Sequence, residues 1–576
     1  EQQRRLQRLR QEAAEYYRGQ QVPQRMEEAL NTLFPLRPAD LYGEMANYFS
    51  KLSKPPVICK VVGRKVLDGV GLPTLEVEIH CTVKNCEKRI CSIIIPSHFQ
   101  IPDNALPETT EADEKERNDS VNTAVKWVNE SLNTMLRDLK PTDQCKVDKM
   151  LGEYFTTKVE EKKEIQKQEE EAEEAEATPT LASCTPAATA LPGQKKAEKT
   201  GFLSVAERMI PPAEPIEPVL CGSSAIGGTS LATAKAGATI NHIPLYLYIA
   251  LLKHEQKFFL RFKWNFPCST LCPLPLVLSL GTTEKSLAPS SLHIRISPHK
   301  VSPQPSLLQA EESQLSQPFL IREMLQSPSH LLLCIYMCAN KVIVFGFNFQ
   351  PQALKRVSHL GCLIIGYDNL EQLLLIIQTA CEKKGLKLGT DMYLAINCAA
   401  HELMDYVKGK YETLTGTFKS PDEMVDMYVE LINKFPFIIA LIDPLRKEDQ
   451  QQWSHLCRAL GSKCYLIAEE AARCISRHKT DQMINIPTCS GVVLKYINQT
   501  KVSDLIELTG HLDDQRHITI LGSPDGESSD DSLVDLAVGL GARFIKLGGL
   551  LRGERVTKYN RLRAIEEELA KNRTLR

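Results

Sequence analysis

The chain has little that would direct it to a membrane, a nucleic acid or an oxidising compartment. Its most hydrophobic window, 330–349, is interrupted by Asn340 and Lys341 and is too short on either side to span a bilayer. The opening stretch EQQRRLQRLRQEAAEYYR is charged and helix-forming and has no apolar signal core. Neither sign of charge dominates, because 69 Lys and Arg face 71 Asp and Glu for a formal net charge of −2. A balance so close to neutral creates no strong field for nucleic acid or lipid. Cysteine is plentiful at 18, yet no two are spaced CxxC, and Cys398, Cys464 and Cys474 fall in apolar runs. Such spacing suits reduced, buried thiols better than a disulfide framework. A soluble, cytoplasmic protein with no nucleic-acid and no membrane partner is expected.

At 576 residues the chain has room for two or three domains, or for one large barrel with attachments. Residues 1–55 read as a helical extension. Within 24–52, Pro35 and Pro38 split two helical runs, with Leu30, Leu33, Phe34, Leu41, Met45, Tyr48, Phe49 and Leu52 on apolar faces. Asp40 is placed to cap the second run. Helices this short and apolar cannot bury their faces alone, so they either accept a partner helix or pack on the next domain. Residues 56–159 turn strand-like, with LPTLEVEIHC alternating and RICSIIIP continuous, and then helical. A Glu/Lys run followed by a Pro/Ala/Thr tract makes 160–215 a solvated helix fading into disordered linker. Small-residue-rich helices at 216–254 close this α+β domain. The segment 255–355, with its proline clusters, gives no assignment.

From 356 to 576 the pattern becomes regular. Strand-like runs at 360–366, 392–397, 438–444, 463–469, 491–497, 517–522 and 544–547 alternate with amphipathic helices. Seven βα units in succession predict a parallel sheet closed as a (β/α) TIM-type barrel, with its site at the C-terminal ends of the strands. The polar residues there are Asn397, Asp443, Glu469, Lys495, Ser523 and Lys546, set against almost wholly apolar strand bodies. Desolvation disfavours a charged ammonium, so two lysines at one mouth can serve proton abstraction next to a carboxylate or a phosphate-binding role. The structural alternative is that Lys495 and Lys546 form internal ion pairs with Glu469 and Asp443.

The strings that occupy these positions carry a resemblance. GVVLKYINQT (491–500), GESSDDSLVDLAVGL (526–540), IKLGG (545–549) and RGERVTKYNRLRAIEEEL (552–569) resemble the C-terminal half of enolases. So do GSSAIGGTSLATAKA (222–236), PLYLYIALL (244–252) and, nearer the start, LDGVGLPTLEVEI with IIIPS. The resemblance spans most of 56–570, apart from 160–215 and 255–355. It implies an enolase fold, a mixed α+β domain leading into the barrel. Residues 24–52 in turn resemble the docking and dimerisation helices of cyclic-AMP-dependent kinase regulatory subunits and of the Dpy-30 family, which accept an amphipathic helix.

Enolases dehydrate 2-phosphoglycerate to phosphoenolpyruvate with a lysine base, a glutamate acid and two magnesium ions. The resemblance implies Lys495 as the proton acceptor and Lys546 as the second, substrate-contacting lysine. Glu469 falls on one of three metal carboxylates. Asn397 stands where the family has a metal aspartate, and Ile442 where it has the metal glutamate. Asp443 adjoins Ile442, but neighbouring side chains on a strand face opposite ways, so it is not expected to substitute. Gln100 replaces a serine beside the second metal. Ser523, Pro524 and Asp525 replace the family's histidine, phosphate-binding arginine and serine. The general acid falls by position near 357–361, where no counterpart is found. The implied cofactor is Mg2+, weakly bound, and the implied assembly is a homodimer or a heterodimer with another enolase subunit. Two functions follow: a glycolytic phosphopyruvate hydratase, or a barrel that has lost catalysis and serves as a scaffold held by its N-terminal helices to a partner such as a flagellar or kinase-anchoring protein.

Overall fold

The protein is seen in a computed structural model that describes residues 2–69, 71–96, 107–176, 220–257, 277–282, 291–296, 364–366, 370–383, 385–390, 393–414, 416–472, 487–495, 500–522, 527–547 and 552–571. Three helices lead, α1 (Gln2–Gly19), α2 (Val22–Leu33) and α3 (Leu41–Lys51). Asp40 caps α3 as its sequence position predicts, accepting the Gly43 N–H at 2.9 Å. The helices α2 and α3 pack on each other over Ala29 and Leu33. Their other apolar side chains remain open, Phe34 being 73% and Leu30 51% exposed. The alternative of close packing on the following domain therefore does not hold for these two residues.

A three-stranded antiparallel meander follows: β1 (Val57–Leu67), β2 (Pro73–Val83) and β3 (Cys86–Ile94). Period-two alternation buries Leu75, Val77, Ile79 and Cys81 on one face of β2 and leaves Glu76 and His80 on the other. The buried face meets α4 (Pro107–Trp127) and, after α5 (Gln144–Glu176), the small-residue helix α6 (Ser224–Ile240). Close approach needs glycine here, since a Cβ on Gly228 would lie 3.0 Å from Val77 and Ile95 side chains. The helix α7 (Leu245–Lys257) completes this unit. Helical order reaches Glu176, into the start of the expected linker. The rest of that linker, 177–215, lies outside the described residues.

The remaining strands are β4 (Val277–Thr282), β5 (Ser291–Ile296), β6 (Ile364–Gly366), β7 (Tyr393–Asn397), a small sheet of β8 (Met404–Asp405), β9 (Lys410–Leu414) and β10 (Thr417–Lys419), then β11 (Ile438–Ile442), β12 (Tyr465–Ala468), β13 (Gly491–Lys495), β14 (Ile518–Gly522) and β15 (Phe544–Lys546). The intervening helices are α8 (Leu370–Glu382), α9 (Pro421–Lys434), α10 (Gln450–Leu460), α11 (Val502–Asp514) and α12 (Ser532–Leu540), with α13 (Gly553–Lys571) last. Nine strands form one sheet in the order β15-β14-β13-β12-β11-β7-β4-β5-β6. Six consecutive members, β15 through β7, are mutually parallel, as the βα alternation predicts.

One end of the sheet departs from the expectation of seven parallel units. β6, within 360–366, does not neighbour β7; it sits at the sheet end, antiparallel to β5. The places between them are taken by β4, parallel to β7, and β5, antiparallel to β4. Both come from the stretch 255–355, whose scattered prolines and weak alternation give no strand signal. Among the described residues no pairing joins β15 to β6.

The strands are buried on both faces, which is why they read as continuous apolar runs. Leu394, Ile396, Leu441, Leu466, Val492, Leu494, Leu521 and Ile545 join the large core shared with the helices. Tyr393, Ala395, Ala440, Ile442, Ile467, Val493, Ile520 and Phe544 form a second, separate core on the inner face. Several contacts fix the front unit to the barrel. The carboxylate of Asp148 accepts the Ser503 N–H at 2.9 Å and Ser230 Oγ accepts the Val502 N–H at 2.9 Å, capping α11 from outside because Lys501 offers no side-chain cap. Asp535 accepts the Tyr246 N–H at 3.1 Å, and α7 crosses α12 at Gly539, where a Cβ would lie 2.6 Å from the Tyr246 carbonyl oxygen.

Candidate functional site

Strand parity decides which polar residues share the inner face. Counting by two from the second core, Ala395 leads to Asn397, Ala440 to Ile442, Ile467 to Glu469, Val493 to Lys495 and Phe544 to Lys546. Four of the predicted residues, Asn397, Glu469, Lys495 and Lys546, thus close the inner faces of their strands. Ser523 lies outside the described residues, as do Gln100, Pro524, Asp525 and 357–361.

Glu469 bridges the two lysines. Its Oε1 lies 3.0 Å from Lys495 Nζ, and its Oε2 accepts from Lys546 Nζ. The strand between the lysines contributes Gly522, in register with both Lys495 and Lys546. A Cβ there would meet Val493 Cγ1 at 2.8 Å, so close packing against Val493 calls for the glycine, while Lys495 Cγ would lie at 3.6 Å. Exposure separates them: Lys546 is 9% and Glu469 10% exposed, while Lys495 at 26% is the more open arm. Burial alone would raise the Glu469 carboxyl, but the Lys546 and Lys495 ammonium groups outweigh it and hold it well below the usual carboxylate range.

Asp443 does not make the expected ion pair with a lysine and, as expected, does not substitute for Ile442. It follows the end of β11 with φ at +46°, a left-handed conformation that needs local support in a residue other than glycine. Its carboxylate accepts backbone N–H groups from Glu469 at 2.8 Å, Glu470 at 2.7 Å and Ala471 at 3.4 Å. It therefore neither pairs with a lysine nor stands in for Ile442. It holds the turn that carries Glu469. Burial, with the Glu469 carboxylate beside it, pushes its carboxyl upward against the pull of those N–H donors. This role and that of Gly522 escape sequence reading. The available signals were a polar residue directly after an apolar strand and a glycine at a strand end between two lysines.

Among the described residues, the inner face offers a magnesium ion few donors. Ile442, level with Asn397 in the β7–β11 register, offers no donor atom. Asn397 Oδ1 is buried without a hydrogen-bond partner, a neutral oxygen that could face a cation. Glu469, however, is occupied by two ammonium groups. A dication about 4 Å from one ammonium is repelled by roughly 8 kcal/mol at an effective dielectric of 20. Two ammonium groups at that distance cancel roughly the attraction of one carboxylate at a ligand distance of about 2.1 Å, so Glu469 alone gives little net hold on the cation. Among the described residues, no three His, Cys, Asp or Glu side chains stand together as a cation site.

A second ionic cluster explains other strings of the sequence. Glu527, 5% exposed, accepts from Arg555 Nε at 3.1 Å and from Lys558 Nζ at 2.9 Å. Its carbonyl accepts the Gly69 N–H at 2.7 Å, reaching the β1–β2 loop. GESSDD and RGERVTK are thus tied together as structure.

A doubly buried parallel sheet with an antiparallel strand, a lysine–glutamate–lysine bridge at its C-terminal mouth and a front α+β unit define an enolase-type barrel. The chain belongs to the enolase family. The family model described as "Enolase, C-terminal TIM barrel domain" matches residues 357–575. A protein named Enolase 4 from Homo sapiens is 49% identical over 576 residues, covering 99% of this chain and 90% of that protein. Proteins of the same name from Mus musculus and Danio rerio are 48% and 36% identical, over 98% and 97% of this chain and 90% and 91% of their own lengths. Among the described residues no helix is long and apolar enough to cross a membrane.

Proposed function

We propose that this protein is a phosphopyruvate hydratase of the enolase type in reduced form. Lys495, after giving its own proton to solvent, removes the proton from carbon 2 of 2-phosphoglycerate, the carbon 3 hydroxyl takes a proton from solvent and leaves as water, Lys546 holds the substrate's anionic groups, and turnover is slow. The observation that supports this is the lysine pair across Gly522, joined by Glu469. Lys495 is the more open of the two, so substrate reaches it first. A positioned base contributes roughly 10² to 10⁴-fold, which leaves the reaction far short of a site with full metal charge stabilisation.

A second reading is favoured by Ile442 and Asn397 on the inner face and by the open apolar side chains of α2 and α3. In it the barrel is a scaffold subunit in the cytoplasm, for example of the sperm flagellum. Residues 24–52 then receive an amphipathic helix of the partner, and the barrel pairs with itself or with another enolase subunit. One assay separates the two: phosphoenolpyruvate formation from 2-phosphoglycerate by the purified chain with magnesium, with Lys495→Ala alongside. Slow formation that falls by about 10²-fold in Lys495→Ala is expected. No formation at any magnesium concentration would leave the scaffold reading alone.

A further inference from the structure

Two helical stretches of this chain carry opposite charge and leave apolar side chains uncovered. The first is α1, with five arginines against two glutamates and with Leu6, Leu9, Ala13 and Tyr16 at alternating spacings of three and four. That is the repeat of a helix seam. Yet α1 has no buried residue, and Leu6, Leu9 and Tyr16 are 52%, 54% and 65% exposed. The second is the far half of α5. Val147 and Leu151 of this helix join the large core, whereas 163–168 are all exposed, Ile165 at 55% among them. The run 160–176 holds nine glutamates against three lysines. Within one chain, then, Leu6, Leu9, Tyr16 and Ile165 all stay open to solvent.

Charge decides which partner suits each. The sequence places Arg5 and Arg10 beside the seam of α1, so two copies of α1 laid together bring like charges into contact. A seven-residue repeat started at Ile165 has Glu164 and Glu169 at the same two places, so this run also repels itself. Set parallel, with Leu6 beside Ile165, the two stretches match Arg5 with Glu169 and Arg10 with Glu164. Arg8 is already used inside α1, donating to Glu12 at 3.0 Å, whereas Arg5 and Arg10 meet no carboxylate among the described residues. We infer that α1 of one copy docks on residues 160–176 of a second copy. The exchange closes as a two-fold pair, since each copy supplies one basic and one acidic stretch. It uses neither α2 nor α3 and stands under either reading of the barrel mouth. A seam this short is weak alone, so concentration and salt set how much of it forms.

The test is cross-linking of the full chain as the Arg10→Lys variant, which keeps the charge of α1 and gives it an amine that carbodiimide couples to a neighbouring carboxylate. Light and heavy-nitrogen protein are mixed at low concentration so that copies exchange, then reconcentrated and coupled. Peptides joining α1 to 160–176 are expected, with mixed-isotope peptides as abundant as the two pure kinds together. Adding Arg5→Glu should lower their yield by about fivefold, and adding Glu169→Lys as well should restore it. Molar salt should lower the yield too, since the matched charges are exposed. Thermal unfolding shows that each variant is folded. Pure-isotope peptides alone would mean that α1 folds back on its own chain and would overturn the inference. Coupling of α1 to other segments, or to none, would overturn it as well, as would a yield that ignores the charge reversals.

Discussion

The carboxylate of Asp443 accepts the backbone N–H of Glu469 at 2.8 Å, so a buried acid on one strand end positions the acid that bridges two lysines on others. The contact repeats at Glu470 and Ala471, which makes Asp443 a three-point acceptor for the turn after β12. Its own N–H donates to the Ile467 carbonyl and its carbonyl accepts from Ala400, tying three successive strand ends together.

Removing that acceptor strands buried N–H groups. Asp443→Ala is expected to lower unfolding free energy by about 2–3 kcal/mol. Asp443→Gly should be milder by about 1 kcal/mol, because glycine takes the φ of +46° without a Cβ penalty. Urea unfolding of the two variants checks the ranking. Alanine no worse than glycine would remove backbone strain from this account.

The ionic bridge makes a pH prediction. The folded-state Glu469 carboxyl lies below its ordinary value of 4.5, so its contribution is fully present above that value and lost only as pH falls well below it. Glu469→Gln should therefore be less stable than the parent at neutral pH, with the gap closing under strong acid. Thermal unfolding of both proteins from neutral pH to about pH 3 measures it. A gap that is constant with pH would mean the carboxylate charge is irrelevant to the bridge.

The Glu527 cluster should be the costlier one to break. Arg555 and Lys558 are each 2% exposed, and without Glu527 both charges stay buried uncompensated. Glu527→Ala is expected to cost about 3–5 kcal/mol, while the double change with Lys558→Met recovers part of it. A denaturant series on the single and double variants reads the difference directly.

Sequence alone made the barrel legible where the physics is local. Runs such as IIALI and YLIA are almost wholly apolar because both faces are buried, and period-two parity along β13 and β15 aims Lys495 and Lys546 inward. Asp40 was readable as a cap for the same reason. Long-range facts were not readable. Nothing in VLSLGT or SLHIRI says that these strands part β6 from β7, since strand neighbours are chosen by the whole sheet. The bridge required knowing that Gly522 lies in register between two lysines, and Asp443 required its left-handed turn.

Whether the inner face holds a cation can be tested by adding carboxylates to it. Asn397 and Ile442 lie side by side on β7 and β11, so Asn397→Asp with Ile442→Glu adds two carboxylates at one level of the inner face. Without metal the variant buries two like charges and should be less stable than the parent, by about 2–4 kcal/mol. With magnesium the new acids gain a partner, and stability should rise with concentration as RT ln(1 + [Mg]/Kd), about 2.7 kcal/mol at a hundred times Kd. The parent, its one bridging carboxylate held by Lys495 and Lys546, should show no such rise. Differential scanning calorimetry across a magnesium series compares the two. A parent that responds as strongly as the variant would show that the bridged Glu469 still accepts the cation.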